Sequence, residues 1–159
     1  MPDLLPFFEW CENADLIVAM RSSLWLFPVI ESLHLLGLAL IGGALLVVDL
    51  RLLGFGLRRQ PVAILARDAE PWLLGSLAVM LPTGVLLFMS SAVKCYYLPV
   101  FWLKMATLLV ALAFTFSVRR RVAMAGDAGM PLGWAKVVGG ASISLWATVA
   151  IAGRFVGLP

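Results

Sequence analysis

Five ionisable residues interrupt stretches of this chain that are otherwise apolar: Glu31, His34, Asp49, Lys104 and Arg154. A charge inside a membrane span is costly, so each calls for a partner or a task. Glu31 and His34 stand three residues apart, which on one helix sets a carboxylate beside an imidazole, the spacing used by di-iron bundles. That chemistry needs further carboxylates from other helices, and none lies at this depth, so an intrachain di-iron site is rejected. A b-type haem asks for less: one or two axial ligands, room beside the macrocycle and cations for its propionates. On this reading His34, the only histidine, is an axial ligand, Gly37 leaves space for the macrocycle, and Lys104 or Arg154 binds propionates. Met105, or the histidine of a neighbouring protomer, is the second ligand. A metal held by His34 and Glu31 is the related alternative. The bland alternatives are a hydrogen-bonded packing histidine and a methionine that only fills space.

The same charges can also act as staples. Glu31 and Asp49 are eighteen residues apart, as are Lys136 and Arg154, which is about five helical turns, so each pair shares a face over ~27 Å. Antiparallel packing of the two helices in one register predicts ion pairs Glu31–Arg154 and Asp49–Lys136. Gly140, Ser144, Thr148 and Ala152 form a row of small residues on the last helix, with Gly37, Gly42 and Gly43 on the first, the composition that lets membrane helices approach closely. Thr83 and Thr107 add hydroxyls at the level of His34 and Lys104. Cys11 and Cys95, the two cysteines, are too few and too far apart for a zinc cluster; they are expected to form either a disulfide or two unpaired thiols.

Four elements must position these groups. Residues 24–48, 72–89, 100–118 and 137–156 are each about long enough and apolar enough to cross a ~30 Å hydrocarbon core. The 159 residues are 62% hydrophobic and 13% charged, with mean hydropathy +1.00, outside the range of soluble domains. The expected fold is therefore all-α: a single transmembrane domain, an integral membrane four-helix bundle spanning 1–159, with an N-terminal segment lying on the membrane surface. Asn13 is expected to cap a helix that starts at Ala14, and Pro28 to kink or restart the first span. The acidic N-terminus (Asp3, Glu9, Glu12, Asp15) does not match a cleaved signal peptide.

Orientation follows from Lys and Arg, which cytoplasmic loops retain. Arg51, Arg58, Arg59, Arg67, Arg119, Arg120, Arg121 and Lys136 flank the first and third loops, against Arg21, Lys94, Lys104 and Arg154 on the other side. Both termini are thus expected outside, with Trp10, Trp25, Tyr96, Tyr97 and Trp102 at the outer interface and Trp72 and Trp134 at the inner one. The net charge of +3 serves topology, and no nucleic-acid partner is expected.

The run Pro28-Val29-Ile30-Glu31-Ser32-Leu33-His34-Leu35-Leu36-Gly37, continuing to Asp49-Leu50-Arg51-Leu52-Leu53-Gly54, resembles a family of small uncharacterised bacterial four-helix membrane proteins. It is also faintly similar to the His-plus-Gly helices of CopD-type copper-resistance proteins and of membrane b-type cytochromes. The resemblance implies a bacterial inner-membrane location and transfers no activity. The latter two groups use several histidines or methionines, so the single His34 puts intrachain bis-histidine ligation out of reach.

No phosphate loop, dinucleotide fingerprint, nucleophile elbow or zinc-type histidine pair occurs, so no hydrolase or transferase activity is expected. The leading expectation is a redox-associated subunit binding haem b or a metal near the outer leaflet. The alternatives are a homo-oligomeric channel or transporter-like bundle with a polar cavity, and a structural accessory subunit. The expected partners are the lipid bilayer and further copies or a membrane complex.

Overall fold

The computed structural model describes residues 4–56, 59–129 and 131–157. Helix α1, Leu5–Glu12, carries Pro6 in its first turn and closes at Asn13, whose side-chain amide donates to the Glu9 carbonyl at 2.8 Å. Asn13 therefore finishes α1 and does not cap the next helix; α2, Asp15–Ser22, starts from Ala14 instead. Helix α3, Leu26–Leu53, contains Pro28 without restarting, because the first turn of a helix needs no intrahelical N–H bond. Its far end is a Schellman turn: Gly54 adopts φ 87°, and the Phe55 N–H reaches the Leu50 carbonyl at 2.8 Å.

Helix α4 is Val62–Met89, α5 is Ala92–Tyr97 and α6 is Pro99–Phe114. A wider, π-type turn, Thr115–Arg119, joins α6 to α7, Arg120–Gly129, whose helical path breaks at Gly126 with φ 69°. Helix α8, Leu132–Val156, ends the described chain. Four stretches are long and apolar enough to cross a membrane: Leu26–Leu53, Val62–Met89, Pro99–Gly126 and Gly133–Val156. Their outward faces carry Leu36, Leu40, Leu109, Val110 and Ile151, side chains that only lipid would shelter. The chain is a multi-pass, all-helical membrane protein.

Two boundaries differ from those read along the sequence. The second long helix begins at Val62 rather than Trp72, because Arg67, Asp68 and Glu70 occupy its first turns and Pro71 is tolerated within it; packed neighbours can support backbone that a proline frees. The third continues past Val118 through Arg119, Arg120 and Arg121, so the triple arginine is helix rather than loop.

Helix α3 packs against both α4 and α8, α6 packs on α8, and α7 packs on α4. The four long elements thus close a ring in which α3 and the third span are diagonal. At one end, α1 lies on α5 and together they cap the bundle: Phe8, Cys11, Ala92, Cys95 and Phe101 form a buried cluster against Phe88 and Val156. The opposite end carries the arginines, over a cluster that includes Val48, Leu52, Val62, Val122 and Val138.

Close approach of α3 and α8 depends on Gly139, where a Cβ would stand 3.0 Å from the Asp49 carbonyl oxygen and 3.1 Å from Leu52 Cβ. Gly140, Gly42 and Gly43 face open space instead. Gly139→Leu should accordingly force the helices apart and cost about 1–3 kcal/mol. Gly140→Ala should leave the unfolding midpoint in detergent unchanged, and equal midpoints for the two variants would contradict this packing.

Candidate functional site

The deepest polar group lies toward the arginine-rich end. Asp49 on α3 is 1% exposed, and each carboxylate oxygen has a donor. The Arg119 Nε–H donates to Oδ1 at 2.6 Å, and the Ser142 hydroxyl of α8 donates to Oδ2 at 2.6 Å. Arg119 also donates through Nη2 to the Leu45 carbonyl at 3.2 Å. The π-type turn bears on this placement: it ends in Arg119 and begins at buried Thr115, whose hydroxyl accepts the Trp146 indole N–H at 3.0 Å. Three of the four long elements thereby meet on one carboxylate.

This arrangement corrects the expected Asp49–Lys136 pair. Lys136 is exposed, and Asp49 faces the interior, where Arg119 arrives from the diagonal element. Arg119 escaped sequence reasoning because three consecutive arginines read as a loop; letting the third helix run through them would have offered it. Next to it, Arg120 pairs with Glu70 of α4 at 3.0 Å. A cavity of about 30 Å³ beside these groups is lined by Ala44, Ala66, Ala69, Thr115, Arg119 and Glu70, room for one or two waters and far less than a macrocycle needs.

The second polar group lies toward the capped end. His34 Nδ1 sits 2.9 Å from Thr83 Oγ1 on α4. The Thr83 hydroxyl has one proton, and its shorter contact is the Val79 carbonyl at 2.7 Å, so Thr83 accepts and His34 Nδ1 carries the hydrogen. With Nδ1 occupied in this way, Nε2 keeps its lone pair. Gly84 makes room for the ring, since a Cβ there would stand 3.2 Å from His34 Cε1.

Lys104 comes from the diagonal element α6. Its Cε and Nζ lie 3.4 and 3.5 Å from where a Cβ of Gly153 would stand, and its ammonium is within electrostatic reach of His34 and of Cys95. Because α6 packs on α8 while only its continuation α7 packs substantially on α4, the third span leans away from α4 at this end. His34 lies against Thr83 and Gly84 of α4, and Lys104 against Gly153 of α8.

The remaining candidates are placed as follows. Gly37 is buried, but Met80 fills the space above it, with Cγ only 2.7 Å from where a Cβ would stand; it serves α3–α4 packing and leaves no room there for a macrocycle. Met105 is 37% exposed on the outside of α6. Glu31 and Arg154 are both exposed and form no ion pair among the described residues, because Arg154 turns away from the packed face of α8. Among the described residues no group of three or more His, Cys, Asp or Glu side chains is placed to hold a metal ion. Cys11 and Cys95 are free thiols, both buried in the capping cluster. Burial pushes the Cys95 thiol above its ordinary range, against the pull of Lys104 and Lys94.

Breaking a buried ion pair from one side leaves an uncompensated charge in a low dielectric. Arg119→Met should therefore destabilise the protein by about 3–5 kcal/mol, and the double variant Asp49→Leu/Arg119→Met should recover most of that. Denaturant unfolding in detergent measures both, and additive losses would show that the two side chains are not a unit.

No curated protein and no solved structure matches this sequence. A family model described as a family of unknown function, DUF6644, matches residues 7–159. With that match covering nearly all of the sequence, the chain belongs to the DUF6644 family.

Proposed function

We propose that this chain is a redox-associated subunit of a bacterial inner membrane, with its capped end on the extracytoplasmic side, in which His34 offers Nε2 as an axial ligand to a b-type haem or a metal ion. The observation that carries this reading is the tie between His34 and Thr83. A ligating imidazole characteristically has its other nitrogen held by a hydrogen-bond partner, which fixes tautomer and ring orientation, and Thr83 supplies that partner at 2.9 Å.

The donor set suits a group shared with a second copy or a partner subunit. The chain offers one imidazole lone pair and, from α6, one cation at Lys104 for a propionate, while Met80 closes the Gly37 face. A bound haem would supply one-electron transfer. The residues of this chain would orient the ligand, neutralise a carboxylate and keep the site within an apolar surround.

The absorbance spectrum of the purified protein tests the reading. A Soret band is expected, lost in His34→Ala and shifted or weakened in Thr83→Val, because the imidazole would lose its orienting partner. A colourless, metal-free preparation recovered from haem-replete cells would refute it.

A second reading, a homo-oligomeric channel or transporter-like bundle, draws on Glu31 and Arg154. Both lie within membrane-length helices, are exposed on the isolated chain and lack ion-pair partners among the described residues. Neighbouring copies would shelter them around a polar path. Lys104→Ala or Arg154→Ala should then change ion flux into liposomes while assembly is retained, and unaltered flux in both would count against a channel.

A further inference from the structure

Cys11 belongs to α1 and Cys95 to α5, 84 positions apart in sequence (95 − 11), yet they lie in one buried cluster with 4% and 2% exposure. Contacts on either side of each thiol set the register of the two helices. Before Cys11 on α1, the Phe8 ring meets the Tyr96 ring edge-on, with centroids 5.2 Å apart. After it, the Glu12 carboxylate accepts the Val93 backbone N–H at 2.8 Å. On α1 the order is thus Phe8, Cys11, Glu12; on α5 it is Val93, Cys95, Tyr96, running the opposite way. The bracketing contacts place Cys11 and Cys95 between them, within the same buried cluster. Phe8 and Cys11 share a face of α1 at i, i+3, as Ala92 and Cys95 do on α5, which explains why all four are buried together.

We propose that Cys11 and Cys95 are a cross-linking site: an oxidant of the disulfide class joins them into one intramolecular disulfide that fastens α1 onto α5 across the capped end. In this exchange each cysteine gives up its proton and the pair gives up two electrons. The oxidant, for example oxidised glutathione, is reduced to two thiols as the protein S–S bond forms. The reagent gains access when α1, a short helix held by the aromatic contacts and the Glu12 carboxylate, lifts locally and exposes both sulfurs at once. The bond would fix the cap at the same end of the bundle as Phe88 and Val156, against which this cluster packs. The inference rests on the α1–α5 register alone and stands whether or not the site beneath binds haem.

The full-length protein in detergent is incubated with oxidised glutathione, denatured, alkylated with N-ethylmaleimide and weighed intact. The expected result is a monomeric chain that takes up no alkyl group after oxidation and two after reduction with dithiothreitol. Oxidation should also raise the unfolding midpoint of the wild type, and should leave that of Cys11→Ala unmoved. A folded, oxidised wild type that still takes two alkyl groups would overturn the proposal. So would cross-links found only between chains, or protein carrying glutathione on both cysteines without a disulfide between them.

Discussion

A carboxylate that cannot reach water organises one half of this protein. Asp49 is held at 2.6 Å by Arg119 and at 2.6 Å by Ser142, so α3, the third span and α8 must keep their relative rotation and depth or leave a charge unpaired. In hydrocarbon that penalty is several kcal/mol, larger than what sliding one greasy helix along another would otherwise cost. Neighbouring features serve the same end. Gly139 lets α8 come close enough for Ser142 to reach, and the π-type turn closes on Arg119. Apolar packing alone gives little directional preference between helices surrounded by lipid; the buried pair supplies a register.

The other half follows a different logic. At the capped end the third span departs from α4, and the space is occupied by an aromatic cluster in which Phe88 stacks on Phe101 with centroids 5.3 Å apart. Polar groups there are incompletely matched among the described residues: His34 is bonded through Nδ1, and Lys104 lies against Gly153 and forms no ion pair. A satisfied network reads as structure, whereas a lone pair and a cation left over at one level read as a place for a ligand. This contrast between a saturated end and an unsaturated end is the reason the proposed ligand role falls on the His34 side.

The α1–α5 cap joins these ideas to the chain's N-terminal segment. Phe7, Trp10, Leu16, Trp25 and Tyr97 are exposed around it, a belt of aromatic and apolar side chains suited to the boundary between lipid and water. Phe8, Cys11, Ile17 and Met20 point inward. Two short helices with opposite faces so divided can lie flat on a membrane while covering the ends of the long ones.

Hydropathy made the four apolar crossings legible in one dimension, because any helix in lipid must be about 20 residues long and apolar wherever it goes. Composition could also single out His34, Asp49 and Lys104, since a charge amid leucines is conspicuous without coordinates. Which groups meet was decided only by the folded bundle. Helical spacing says which residues share a face of one helix; it does not say how neighbouring helices are rotated, so it offered Lys136 to Asp49, and the π-type turn and the diagonal placement of the third span brought Arg119 instead. The Thr83 partner of His34, the filling of the Gly37 face by Met80 and the burial of Cys11 and Cys95 in one cluster likewise join distant segments, fixed by packing that no local pattern encodes.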